Sequence, residues 1–131
     1  MLEGKCHCGA VRWTFTEIPP DATACNCTIC RRYGTLWAYD YEGEKISLSG
    51  PTRVYLRRQS SPLGYHFCET CGCVCYWRLV NPDEEGRRRV AVNLRLADPE
   101  AVAAIPIEHF DGLNTFEDLG QDGRCVRDYW A

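Results

Sequence analysis

No apolar run in the sequence approaches the ~18–20 residues that a membrane-spanning helix needs. The first residues, Met1-Leu2-Glu3-Gly4-Lys5-Cys6, lack the apolar stretch of a secretory leader. That absence predicts a cytoplasmic protein, in a compartment that keeps thiols reduced. Low-complexity tracts, a linker and any repeat of fixed period are also missing, so the 131 residues are expected to form one domain, 1–131. Nor is there an excess of positive charge. Fifteen Lys and Arg stand against eighteen Asp and Glu, for a formal net charge of −3. General nucleic-acid binding draws on net basic charge, so the balance argues against it. The positive charge is local, at Arg31-Arg32, Arg57-Arg58 and Arg87-Arg88-Arg89. Most of it reads as solvated loop and strand-end charge.

What the sequence does have is cysteine, ten in all. In a secreted chain that number suggests a disulfide framework; in a reducing compartment, and clustered, it suggests metal ligands. The clusters are Cys6-His7-Cys8-Gly9, Cys25-Asn26-Cys27-Thr28-Ile29-Cys30, and Cys68-Glu69-Thr70-Cys71-Gly72 followed by Cys73 and Cys75. Cys125 stands alone.

Strand-like runs dominate the rest. Residues 11–15, 36–41, 45–48, 53–56, 74–79 and 89–94 are rich in β-branched and aromatic residues, several of them alternating apolar with polar. Glu42-Gly43-Glu44, Gly50-Pro51 and Asn81-Pro82-Asp83 punctuate them as turns. The pattern predicts an all-β fold of short antiparallel strands with at most one short helix. That helix is expected at 98–104, with Asp98 as N-cap, Pro99 in the first position and Pro106 preventing continuation. After Asp111 the chain is polar and glycine-bearing, which predicts a loop and then a tail docked by Tyr129-Trp130.

Tetrahedral zinc with Zn–S bonds of ~2.3 Å needs sulfurs about 3.8 Å apart. Cys6 and Cys8 meet that need if the segment is extended, and Cys68 and Cys71 if a tight turn joins them. Gly9 and Gly72 each follow a cysteine directly, where a turn that aims amides at sulfur calls for positive φ. The two pairs together make a closed four-thiolate site of the structural kind. Cys25, Cys27 and Cys30 are three candidate ligands with no fourth nearby in sequence. Either a position stays open, as at a catalytic zinc, or Cys73, Cys75 or His109 closes a second structural site. Cys73 and Cys75, at strand spacing beside aromatics, also read as buried small hydrophobes, and Cys125 as a free thiol.

Three segments resemble the glutathione-dependent formaldehyde-activating family, which takes in S-(hydroxymethyl)glutathione synthase and centromere-protein-V-like chains. They are Gly4-Lys5-Cys6-His7-Cys8-Gly9-Ala10-Val11, Cys25 to Gly34, and Phe67-Cys68-Glu69-Thr70-Cys71-Gly72. A weaker match is Pro106-Ile107-Glu108-His109-Phe110. The resemblance implies a β-tent fold with a structural zinc on Cys6, Cys8, Cys68 and Cys71. It also implies a second, catalytic zinc on Cys25, Cys27 and Cys30, near a glutathione site. The implied activity is carbon–sulfur bond chemistry: glutathione and formaldehyde give S-(hydroxymethyl)glutathione, and the reverse is a lyase reaction. Arg31 and Arg32, directly after the second cluster, either pair with a glutathione carboxylate or offset thiolate charge.

Two other classes remain open at this point. One is a non-catalytic zinc module that binds proteins or small thiols. The other is a sulfoxide reductase, since methionine sulfoxide reductase B shares the β-tent. That class needs a redox cysteine beyond the metal ligands, and Cys125 is the candidate.

Overall fold

The computed structural model describes residues 1–130 and is built almost entirely from short strands. In chain order these are β1 (Leu2–Lys5), β2 (Arg12–Phe15), β3 (Ala22–Cys25), β4 (Trp37–Tyr41), β5 (Ile46–Ser49) and β6 (Thr52–Tyr55). There follow β7 (Leu63–Cys68), β8 (Val74–Leu79), β9 (Arg89–Asn93), β10 (Ile107–Asp111) and β11 (Glu117–Gly120). Two single helical turns, α1 (Cys30–Tyr33) and α2 (Pro99–Val102), and 3₁₀ turns at Leu94–Leu96 and Val126–Tyr129 complete the chain. No helix among the described residues is long and apolar enough to cross a membrane.

The strands form a three-stranded sheet, in the order β1-β2-β5, and an eight-stranded sheet, β11-β10-β3-β4-β9-β8-β7-β6. Pairing is antiparallel except between β10 and β3, which run parallel. Of two buried apolar clusters, the larger joins the sheets. Leu2, Trp13, Phe15 and Ile46 from the small sheet pack with Val90, Val92, Ile107, Leu94 and Val102. Register explains one glycine. Gly4 lies opposite Trp13 in the β1–β2 ladder, and a Cβ there would sit 2.3 Å from the indole. The ring fills the space a side chain would take, so it is buried to 1% exposure.

The six strands expected from the pattern are present within a residue or so of their predicted bounds, and five more accompany them. The polar stretch after Asp111 is not simply a loop, because Glu117–Gly120 adds β11 to the edge beside β10. Backbone pairing holds that strand, since its three side chains are all exposed. The helix at 98–104 is shorter than expected and ends at Val102. Asp98 caps it by accepting the Glu100 amide, with Pro99 in the first turn. α1 is a second helical turn, closed by Gly34 at φ 67°. The C-terminal tail does dock. Val126 is fully buried, Tyr129 and Trp130 pack on the core, and the Arg95 guanidinium lies 4.5 Å from the Trp130 ring.

Candidate functional site

All ten cysteines are free thiols, and seven of them gather in two groups. In the first, Cys6, Cys8, Cys68 and Cys71 bring their sulfurs within 4.8 Å of one another. Two loops of the same design build it. The Cys6 amide donates to the Val11 carbonyl and the Cys68 amide to the Cys73 carbonyl, both at 3.0 Å. Each loop turns through a hydrogen bond from a glycine amide to the first cysteine's carbonyl, with Gly9 at φ 83° and Gly72 at φ 80°. Only glycine takes that conformation freely. Cys6 to Cys8 is therefore a turn rather than the extended segment expected from the spacing, and it still brings the two sulfurs to 3.6 Å. Cys8 and Cys68 are also 3.6 Å apart. These separations match the ~3.8 Å edge of a zinc–thiolate tetrahedron. Backbone amides support thiolate charge: Val11 donates to Cys6 Sγ, and Thr70 and Cys71 to Cys68 Sγ. Amides of Cys73 and Cys8 draw the Cys71 thiol down to about 5. Four sulfurs at this spacing with amide donors fit a closed zinc site.

The second group is Cys25, Cys27 and Cys30. Cys25 ends β3, Cys27 lies in the bend that follows, and Cys30 opens α1, so strand, bend and helical turn converge. The Cys30 amide donates to Cys27 Sγ at 3.2 Å, and the buried Trp37 indole donates to Cys30 Sγ at 3.3 Å. The hydrogen bond from the Cys30 side chain draws the Cys25 thiol down to about 6, while Cys30 itself is pushed up by Cys25 and by burial. No fourth His, Cys, Asp or Glu among the described residues joins the group. Of the three candidates for that place, Cys73 and Cys75 lie on the side of the first group, where Cys75 is fully buried in the core. His109 is engaged by Asp122 at 3.2 Å. Three sulfurs with an open side suit a zinc that retains an exchangeable position.

The open side faces a cavity of about 640 Å³. Trp37, Tyr39, Tyr65, Trp77, Phe110 and Phe116 supply its rings, and Arg57, Arg58 and Arg89 its cations. Burial pushes the phenols of Tyr39, to about 12, and of Tyr65 upward, so both are neutral at physiological pH. Arg31 and Arg32 do not line the cavity. They lie exposed on α1, where Arg32 donates to the Thr28 carbonyl at 2.7 Å. Arg57 reaches the same turn from the cavity side and donates to Thr28 Oγ1 at 2.6 Å. Cys125 is also away from the cavity, and its amide is held by Asp128 at 2.8 Å.

The sequence pattern does not announce Asp111, yet it organises this region. Largely buried, its carboxylate accepts from the Asn26 side chain, the amides of Leu113, Asn114 and Thr115, and the Thr115 hydroxyl. These donors, the Asn114 amide foremost, hold the carboxyl at about 2. The bonds fold residues 111–115 back against the cysteine segment. They bring Gly112 so close that a Cβ would lie 2.6 Å from Cys25 Sγ.

Comparison with known proteins agrees with this geometry. The chain is 35% identical, over 98% of its own length and 88% of the other's, to a Halomonas elongata protein named "Putative glutathione-dependent formaldehyde-activating enzyme". The crystal structure of a Rhodobacter sphaeroides protein shares the fold, with a TM-score of 0.58 and 23% identity over 80% of this chain and 98% of that one. The family described as "Glutathione-dependent formaldehyde-activating enzyme" matches residues 1–110, which span all seven clustered cysteines. This chain therefore belongs to the glutathione-dependent formaldehyde-activating family.

Proposed function

We propose that the protein is a zinc-dependent carbon–sulfur lyase or synthase that makes and breaks the adduct of a small thiol, glutathione foremost, with an aldehyde. The observation that carries the reading is the three-thiol group, which opens on a cavity and has no fourth His, Cys, Asp or Glu beside it among the described residues. In this reading Cys6, Cys8, Cys68 and Cys71 hold a structural zinc, and Cys25, Cys27 and Cys30 hold a catalytic one. Zinc bound by three thiolates supplies Lewis acidity and lowers the pKa of a thiol that takes its open position.

The residues around the group do the rest. Trp37 and the Cys30 amide hold charge on the sulfurs through the hydrogen bonds they donate. Arg57 and Arg58 at the cavity suit the carboxylates of glutathione, because a guanidinium matches a carboxylate with two parallel hydrogen bonds. Arg31 and Arg32, on the outer flank of α1, add cationic charge beside the thiolates. The aromatic lining gives the reacting carbon an apolar surround. The reaction is an addition: sulfur bonds to the carbonyl carbon and the thiol proton passes to the carbonyl oxygen.

Exchange-spectroscopy NMR of glutathione and formaldehyde, with and without zinc-loaded protein, tests the reading. Acceleration of exchange at micromolar protein is the expected result, and its loss in Cys27→Ser ties it to the three-thiol group. An exchange rate that the protein leaves unchanged would sink the proposal.

A further inference from the structure

The cavity over Cys25, Cys27 and Cys30 carries more aromatic lining than the adduct of glutathione with a one-carbon aldehyde requires. Its volume of about 640 Å³ falls within the ~300–1,000 Å³ that encloses drug-sized ligands. Four separate strands contribute rings to it: Trp37 and Tyr39 from β4, Tyr65 from β7, Trp77 from β8 and Phe110 from β10. Trp37 and Tyr65 are buried, Tyr39, Trp77 and Phe110 are half-buried, and Phe116 is 77% exposed. Tyr39 and Trp77 pack with 5.7 Å between ring centroids, and Phe110 and Phe116 meet edge to face at 4.9 Å. Phe116 is the one non-glycine residue at positive φ among the described residues, at 58°. A bulky side chain takes that conformation at a cost, and what the fold gains is an apolar ring at the cavity.

S-(hydroxymethyl)glutathione offers such a wall only the few methylenes of its peptide. The rest of that peptide is polar, and the added carbon carries a hydroxyl. We infer that the carbonyl partner used at this site bears an apolar group, an alkyl chain of several carbons or an aromatic ring, which lies on the aromatic wall. This rests on the thiol–aldehyde reading of the three-thiol group. The step is RSH + R′CHO → RS–CH(OH)R′. A sulfur–carbon bond forms, the carbonyl π pair moves to oxygen, and the thiol proton ends on that oxygen, with no oxidant or reductant. Arg57 and Arg58 in the same lining serve the carboxylates of the thiol and leave the rings for R′.

Calorimetric titration of the zinc-loaded protein with S-methyl-, S-hexyl- and S-benzylglutathione tests this, since these thioethers mimic the adduct and do not react. Each buried methylene contributes about fourfold in affinity. S-hexyl- and S-benzylglutathione therefore bind at least tenfold more tightly than the methyl compound, and both Phe116→Ala and Trp77→Leu narrow that ratio. Equal affinities across the series overturn the inference, as does a ratio that neither variant changes. So does failure of the apolar thioethers to bind a protein that still accelerates glutathione–formaldehyde exchange. Failure of all three to bind, with no acceleration of exchange, overturns the thiol–aldehyde reading and this inference together.

Discussion

Asn26, between Cys25 and Cys27, donates its side-chain amide to the Asp111 carboxylate at 3.1 Å and accepts the Leu113 amide at 3.0 Å. The pair joins the cysteine segment to a loop 85 residues away in sequence. The cluster and one wall of the cavity are thus positioned as a unit.

Replacing Asp111 by Asn leaves several of its five donors without a charged acceptor. Loss of hydrogen bonds to a largely buried group costs about 1–3 kcal/mol, read as a lower urea midpoint. The pH dependence has a definite sign. The folded carboxyl, at about 2, lies below its ordinary 3.8. Its contribution is therefore complete above about 4 and is lost only as pH falls from there towards 2. The wild-type–variant difference is the same at pH 5 and pH 8, and a difference that shrinks between those two values would contradict the assignment.

Gly112→Ala places a methyl 2.6 Å from Cys25 Sγ and 3.1 Å from the Cys27 Cβ. The sulfur must move, while the four-cysteine group is untouched. Elemental analysis of the purified variant then shows zinc falling from about two towards one per chain. A variant that keeps two disproves the close packing.

Metal removal separates the two groups. A site with four protein sulfurs exchanges slowly, and one with an open position exchanges fast. A chelating dye is expected to withdraw one equivalent of zinc quickly without loss of the near-ultraviolet circular dichroism. The second equivalent leaves only with unfolding. Cys68→Ser removes a sulfur that is 1% exposed, and soluble folded protein should drop sharply.

At the cavity, Arg57→Ala weakens glutathione binding about tenfold, or about 1.4 kcal/mol, and by more than Arg31→Ala does. Arg57 lines the cavity, and Arg31, exposed on α1, does not. Titration calorimetry gives both numbers, and a larger loss in the α1 variant would return the carboxylate to Arg31 and Arg32.

In the core, Gly4→Ala drives a methyl into the Trp13 indole. Overpacking of this kind costs about 1–3 kcal/mol, and the displaced indole shifts the tryptophan emission. Unchanged stability and emission would mean that β1 yields instead.

The gathering of the cysteines was legible because the members of each cluster lie only a few positions apart in sequence. Gly9 and Gly72 mark the two turns of the first group, although the stretch from Cys6 to Cys8, expected to be extended, is itself part of a turn. Strands such as Val74–Leu79 were legible for a similar reason, being dense in β-branched and aromatic residues. Ala22–Cys25 was not. Apart from Thr23 its residues have little intrinsic β preference, and it is a strand because β10, far along the chain, pairs with it in parallel. Arg57 and Asp111 were missed for that reason too. They reach the site through long-range pairing and a folded-back loop, whereas Arg31 and Arg32 are near it only along the chain.

Cys8 and Cys68 touch across sixty positions of chain. Closing a loop of that length costs about 3–4 kcal/mol in chain entropy, so the N-terminal pair cannot complete its tetrahedron until the second loop has formed. Until Cys68 and Cys71 fold against them, Cys6 and Cys8 are two sulfurs without the other half of their group. The two loops must therefore meet before either pair of sulfurs is enclosed, and the first group can form only as a late, long-range step of folding.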